Sequence, residues 1–328
     1  MSLNHVKAYN QEIRAWILKV FEVAAAIPKG QLVKRPCPVC GAAQSDFFAN
    51  NDFLDYHRCS RCSLIFMNPA PPPEMVARGF QGEDELLADY FAIVEKFRRP
   101  PTARPDPLSD GKLRDIYALK PSGSLLDVGC SFGDFLHKAK HFYDAEGLEI
   151  NPYTAQVAGR DFTVHRDFLS KLDLEKRYDI VTLHQILYGV PDTVELLREI
   201  HKVLARDGIL YVNTPNADSY AMRTYRGKAN HLYGYTTLNV FGRKSLEALA
   251  ARTGFKILSF RTEWLDIYLA DLTEFHDHPD RFIHKRNCHL PGYEEKIAQE
   301  DALHAALYPD LGEGGNYLVA VLGKDVPS

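Results

Sequence analysis

Ser124-Leu-Leu-Asp-Val-Gly-Cys-Ser-Phe-Gly-Asp-Phe135 reads as a strand, a tight turn and the start of a helix. Leu125, Leu126 and Val128 form a short apolar run of the kind that makes a buried parallel strand. The run breaks at Gly129, and a helix begins near Gly133. Such a junction presents backbone N–H groups to a polar ligand. A dinucleotide fingerprint would place glycines at 129, 131 and 134. The chain has Ser131 and Asp134 there, so a nicotinamide dinucleotide fits poorly. Carboxylates at Asp127 and Asp134 suit a cationic ligand better than a phosphate.

This stretch resembles the first motif of class I S-adenosylmethionine (SAM)-dependent methyltransferases. The resemblance implies an α/β fold with a Rossmann-like, doubly wound, seven-stranded sheet. It also implies SAM as cofactor, with the turn of Gly129, Cys130 and Gly133 under its methionine part and Asp127 near its ammonium. Glycines occur in ordinary βα turns as well, so the segments on either side carry the rest of the argument.

Downstream, residues 134–142 continue as a helix, and Ala145-Glu-Gly-Leu-Glu-Ile150 is a second strand. Glu149 lies twenty positions beyond Gly129, where a second Rossmann-like strand sets a carboxylate against ribose hydroxyls. A carboxylate can accept from both cis hydroxyls. Asn151-Pro152 opens the next helix. Thr163-Val-His-Arg-Asp-Phe168 holds a third strand and a turn. The resemblance there implies Asp167 at the adenine amino group and Phe168 against the ring. Residues 178–183 and 208–215 are a fourth and a fifth strand. They flank a helix over 192–204, with Asp192 as its N-cap. Residues 256–262 and 316–322 complete a terminal hairpin.

Upstream, Cys37-Pro-Val-Cys40 and Cys59-Ser-Arg-Cys62 stand eighteen residues apart, the spacing of a zinc ribbon. Four thiolates (Cys37, Cys40, Cys59, Cys62) close a tetrahedral shell, so the zinc expected here is structural. The continuation Leu64-Ile-Phe-Met-Asn-Pro69 resembles the opening of bacterial methyltransferases from polysaccharide and secondary-metabolite clusters. Residues 4–26 have amphipathic helical spacing. They are either a helix packed on the body or part of a lid or dimer contact. The expected organisation is a helix over 1–30, the ribbon over 31–70 and a helical linker over 71–110. The SAM-binding core follows over 111–262 plus 316–328. An acceptor lid is expected over 263–315, whose histidines and Cys288 match no familiar metal spacing.

One departure bears on chemistry. Many relatives read Leu-Glu-His-Val after the fourth strand, where this chain has Leu187-Tyr188-Gly189-Val190. The substitutes at hand are His184, Gln185 and Tyr188. His184 either points to the methyl group or is a buried, backbone-bonded histidine. In the Tyr-rich loop over 226–242, His231 is the leading acceptor-site residue, with Tyr233 and Tyr235 as an aromatic wall. The expected catalytic set is His231, His184 and Tyr188.

The net charge of −4 supplies no global basic field, and no apolar run approaches the roughly 20 residues of a membrane span. Paired Cys-x-x-Cys motifs and no signal peptide lead to the expectation of a cytoplasmic protein. The expected activity is methyl transfer from SAM to a hydroxyl or amine of a small molecule, such as a sugar or natural-product intermediate. Two alternatives stand beside it. One is an RNA methyltransferase gripping RNA through Lys34, Arg35, Arg58 and Arg61 of the ribbon. The other is a SAM-binding protein without turnover.

Overall fold

The computed structural model describes residues 3–51, 53–83, 85–98, 104–108, 110–171, 176–229, 231–232, 235–263 and 314–325. The acceptor lid expected over 263–315 lies outside them except at its two ends, as does Tyr233.

The chain opens with helix α1 (Leu3–Ala26), then strands β1 (Ser45–Asn50), β2 (Asp55–Cys59) and β3 (Ile65–Met67), and helices α2 (Pro73–Arg78) and α3 (Glu85–Phe97). Helix α4 (Arg114–Leu119) leads into β4 (Ser124–Val128), α5 (Asp134–Ala139), β5 (Asp144–Leu148), α6 (Pro152–Ala158) and β6 (Val164–His165). Then come β7 (Tyr178–His184), α7 (Thr193–Val203), β8 (Leu204–Pro215), α8 (Tyr220–Tyr225), β9 (Asn239–Val240), α9 (Arg243–Arg252), β10 (Phe255–Glu263) and β11 (Tyr317–Lys324). Two helix starts follow the sequence closely. Asn151 accepts from Tyr153 N and Thr154 N at the head of α6, and Asp192 accepts from Glu195 N at the head of α7.

Seven strands form one sheet in the order β10-β11-β8-β7-β4-β5-β6. Its five central and outer strands β8, β7, β4, β5 and β6 run parallel, and β11 is antiparallel to both β8 and β10. This is the class I methyltransferase arrangement. From β4 the chain winds outward to β5 and β6, then returns to β7 on the other side of β4. That reversal opens a crevice at the carboxyl ends of β4 and β7. The strand interiors are apolar on both faces because helices cover both. Leu113, Ile116, Phe135 and Leu136 pack on one face, and Leu197, Ile200, Leu246 and Leu249 pack on the other.

The four-cysteine segment is not a separate bead. Its strands form a second sheet of order β1-β2-β3-β9, and β9 comes from the stretch between α8 and α9. The loop expected over 226–242 therefore lends a strand to the ribbon. Cys37, Val39, Cys59, Cys62 and Leu64 share one apolar cluster with Leu126, Val181 and Phe241 of the core. Arg35 fastens the seam, donating to the carbonyls of Met67 (3.2 Å) and Leu238 (2.9 Å) and to Asn239 Oδ1 (3.2 Å). Burial lowers its pKa to about 10, so these acceptors hold a charge largely withdrawn from water.

Helices α1 and α3 pack antiparallel. Trp16 donates to the Leu86 carbonyl at 2.7 Å and stacks on Tyr90 at 4.8 Å, while Lys19–Asp89 and Glu12–Lys96 pair at the margins. Those exposed ion pairs contribute little; the apolar seam orders the helices. No helix among the described residues is long and apolar enough to cross a membrane.

Replacing Arg35 with Ala removes the donors it gives to the Met67 and Leu238 carbonyls and to Asn239 Oδ1 and is expected to destabilise the chain by about 2–3 kcal/mol. Thermal unfolding measures it. Arg35→Lys recovers only a minor part, since one ammonium cannot span acceptors that a planar fork reaches together.

Candidate active site and four-cysteine cluster

The turn after β4 is built from residues with backbone angles few side chains accept. Gly129 has φ +75°, Ser131 +50° and Gly133 +78°. A Cβ on Gly129 would lie 2.2 Å from Ile186 Cδ1, so the turn after β7 presses directly on the turn after β4. Gly129 N and Cys130 N both donate to the Leu148 carbonyl, at 2.7 and 3.1 Å. The Cys130 thiol faces the core, and a Cβ on Gly147 would fall 2.5 Å from its Sγ. Burial pushes that thiol's pKa up.

Two buried carboxylates stand at this turn. Asp127 is 2% exposed and accepts from Thr182 Oγ1 at 2.7 Å. Burial pushes its pKa up to about 7, against the Thr182 hydrogen bond and Lys112, which favour the charged form. Glu149 accepts from Ser131 N (2.8 Å) through one oxygen and from Asn151 N (2.7 Å) through the other. Burial raises its pKa also. Each oxygen retains a further lone pair for a ligand hydroxyl. Asp167 is half-exposed, accepts from Phe168 N at 2.7 Å and pairs with Lys171 at 3.4 Å. Phe168 lies under the Lys171 ammonium. The structure thus gathers Asp127, Gly129, Cys130, Gly133 and Glu149 at one turn and sets Asp167 and Phe168 beyond β6.

Asp134 departs from its expected role. Arg98 pairs with it at 2.5 Å and also donates to the Phe132 carbonyl at 3.0 Å. The acid therefore anchors the end of α3 and already holds a cation, whereas Asp127 has its Thr182 hydrogen bond. Helix α3 and the turn before it lie across the crevice. Phe91 meets Phe132 at 6.2 Å, Glu95 accepts from the Tyr153 hydroxyl, and the Phe80 carbonyl accepts from Asn151 Nδ2 at 3.2 Å.

The three expected catalytic residues occupy different settings. His184 ends β7 with its ring between Phe135 (4.3 Å) and Tyr211 (5.1 Å). Neither ring nitrogen has a hydrogen-bond partner among the described residues, and burial holds its pKa well below the ordinary value. That is the setting of a neutral core histidine, without the backbone bond anticipated for one. Tyr188 lies in the turn Leu187–Gly189, and burial beside Tyr90 raises its pKa to about 12. His231 is 8% exposed and meets Tyr317 edge-on at 4.8 Å. Tyr317 is in register with Pro215, so His231 stands over the carboxyl end of β8. Tyr235 is buried nearby in the chain.

Between these groups runs a polar pair that sequence reasoning caught only in part. Gln185 has φ +60°, a rare conformation for a residue with a side chain, and its N donates to the Asn213 carbonyl at 2.8 Å. Its side-chain amide donates to Asn213 Oδ1. Asn213 was legible as a polar residue ending the apolar run Ile-Leu-Tyr-Val before Pro215. Thr182 gave no such signal, because a threonine inside a strand is ordinary.

The four cysteine sulfurs lie within 4.8 Å of one another, with Cys37–Cys62 at 3.5 Å and Cys40–Cys59 at 3.4 Å. Tetrahedral thiolates at about 2.3 Å from a zinc stand about 3.8 Å apart, so the donor set fits such an ion. Each knuckle closes with a left-handed residue, Gly41 (φ +72°) and Ser63 (φ +63°), whose N–H donates to Cys37 O and Cys59 O respectively. The cluster can hold a metal ion. Of the ribbon's four basic residues, Arg35 is spent on the seam and Arg58 lies half-buried over Phe48.

Compared with known proteins, residues 103–260 match the family model described as "Methyltransferase domain". None of the curated proteins compared with the chain matches it. Among solved structures, the chain is similar to a SAM-dependent methyltransferase from Mesorhizobium loti (17% identity, 66% of this chain and 99% of that one, TM-score 0.43). It is also similar to one from Archaeoglobus fulgidus (20% identity, 72% and 99%, TM-score 0.47). A shorter likeness is to the sugar N-methyltransferase KedS8 from Streptoalloteichus sp. ATCC 53650 (30% identity, 31% and 44%, TM-score 0.28). The matched span holds β4 through β9 with the Gly turn and both buried acids, and over that span the chain is similar to a methyltransferase domain.

Proposed function

We propose that this methyltransferase acts on a hydroxyl, or secondarily an amine, of a small molecule. The observation that carries the reading is the shared sheet edge. Buried carboxylates stand at the Gly turn, which α3 covers at Phe132, and the polar pair Gln185–Asn213 and the loop bearing His231 lie at the carboxyl ends of β7 and β8. An edge roofed by a packed helix suits a small acceptor shielded from water.

In this reading Asp127 faces the ammonium of SAM, Glu149 its ribose hydroxyls, and Asp167 and Phe168 its adenine. Gly129, Cys130 and Gly133 form the floor. When bound there, SAM supplies a methyl group already activated by its sulfonium. The protein's work is to align the acceptor, exclude water and take up a proton. His231 is the base and Tyr188 a positioning residue; His184, with its low basicity and shielded nitrogens, supports the strand end. The four cysteines hold a structural zinc. The RNA reading loses support because Arg35, one of its four grips, is consumed internally.

Methyl-labelled SAM, incubated with the protein and source-cell extract, tests the reading. Label is expected in the small-molecule fraction. Label in RNA would overturn it, and SAM binding without transfer to any fraction would favour the non-catalytic alternative. Once the product is identified, His231→Ala is expected to lower turnover by about 10²–10⁴-fold while SAM affinity holds.

Asp127 gives a pH dependence. Its pKa rises from 3.8 to about 7 on folding, so charging it in the ligand-free chain costs progressively more stability between those values. Binding a cation needs the carboxylate, so SAM affinity is expected to strengthen roughly tenfold from pH 6 to 7.5 and flatten above. Calorimetry on Asp127→Asn should give a flat profile. Gly129→Ala should abolish SAM binding, and adding Ile186→Ala should restore only part of it, because the positive φ remains.

Elemental analysis is expected to give one zinc per chain. Chelation or Cys59→Ser should lower the unfolding temperature of the whole chain, since the cysteines share the core's apolar cluster.

A further inference from the structure

Two arginines from different elements meet over one aromatic ring, away from the Gly turn, and a third stands close by. Arg58 on β2 lies over the Phe48 ring at 5.0 Å, and Arg226 lies over the same ring at 5.1 Å. Arg223 sits one turn earlier on α8, close enough for its charge to act on Arg58. The guanidinium of Arg58 is half-buried and makes neither a hydrogen bond nor an ion pair among the described residues. Asp218 is the nearby carboxylate that favours its charge. That acid is engaged elsewhere, accepting from Arg243 N at 3.1 Å at the head of α9.

The backbone holds this grouping in place. Arg226 ends α8 at φ +50°, ψ −115°, a conformation side-chain-bearing residues seldom adopt. It donates to the Phe48 carbonyl. Gly227 follows, and a Cβ there would lie 1.9 Å from Asn50 O, so only glycine lets α8 dock flush on β1. The like charges of Arg223 and Arg226 repel that of Arg58, and Asp218 offsets them from nearby without forming an ion pair with Arg58.

We propose that Arg58, Arg223 and Arg226 bind a phosphate group carried by the acceptor. Planar guanidinium forks match phosphate oxygens, and at least ten donors remain uncommitted across the three side chains. The link to the acceptor rests on the reading of His231 above. Two consecutive turns, Ala229 N to Arg226 O and Leu232 N to Ala229 O, join the patch to His231. Such turns keep the Cα atoms of Arg226 and Leu232 within about 14 Å. That separation is within the length of one small molecule, and both groups must reach the same acceptor. A polyanion fits less well. RNA needs a tract of cations along several phosphates, whereas here Asp46, opposite Arg58 in register, and Asp218 bound a compact patch.

The test uses the full chain with pyrophosphate and inorganic phosphate as probes, and SAM as an independent ligand, all by calorimetry. Pyrophosphate is expected to bind more tightly than phosphate, and Arg58→Gln/Arg226→Gln to weaken it at least tenfold with SAM affinity unchanged. Arg223→Gln, a change at an exposed position, should weaken it severalfold. Asp218→Asn should tighten it, an effect misfolding cannot produce. Equal affinity in wild type and variants, or no binding at millimolar probe, would overturn the site. Phosphatase treatment of the extract tests the acceptor: labelled small-molecule product should fall sharply. Undiminished labelling would overturn the link to the acceptor while leaving the methyltransferase reading intact, and patch-dependent binding of an RNA oligonucleotide in preference to pyrophosphate would overturn the small-molecule assignment.

Discussion

Gly129 meets Ile186 where a side chain on the glycine would have to stand. That contact joins the turn after β4 to the turn after β7, the two strands between which the winding direction of the sheet reverses. Much else follows from it. The turn can approach so closely only with a positive φ, and the same φ aims Gly129 N and Cys130 N at the end of β5. Glu149 then closes the loop by accepting from Ser131 N. Asp127 is drawn so far inside that its carboxylate depends on Thr182 of the neighbouring strand. The Gly turn, the seating of two acids and a strand-end turn are consequences of one close approach.

The second organising feature is that the cysteine-bearing segment and the catalytic core are one body. A small ribbon buries too little surface to be robust alone. Here its sheet is completed by β9, its cysteines lie in the core's apolar cluster, and Arg35 spans the seam. A metal at the cysteines would thus stiffen the loop between α8 and α9. That loop carries His231, and Asn51 of the ribbon donates to the Leu232 carbonyl at 2.6 Å. The ribbon thus supports the loop that carries His231.

The clash between local signals and tertiary context is clearest in three residues. Asp134 reads as a free acid at a helix start, yet Arg98 from α3 takes it. Arg35 reads as a nucleic-acid contact, yet carbonyls from distant segments surround it. His184 reads as a base at a strand end, yet Phe135 and Tyr211 sandwich its ring. In each case the competing partner is far away in sequence, so no local pattern could have announced it.

The chain's own pattern determined the alternation of strands and helices, the Gly turn, the spacing of Glu149 and the grouping of four cysteines. These depend on periodicity, on residues that tolerate unusual backbone angles, and on short-range spacing, all of which are local properties. Only the tertiary structure decided that β9 belongs to the ribbon sheet, that Gln185 and Asn213 form a pair, and that Arg58 and Arg226 share the Phe48 ring. Those are matters of which surfaces meet. They arise from packing between segments up to about two hundred residues apart, such as Arg35 and Leu238.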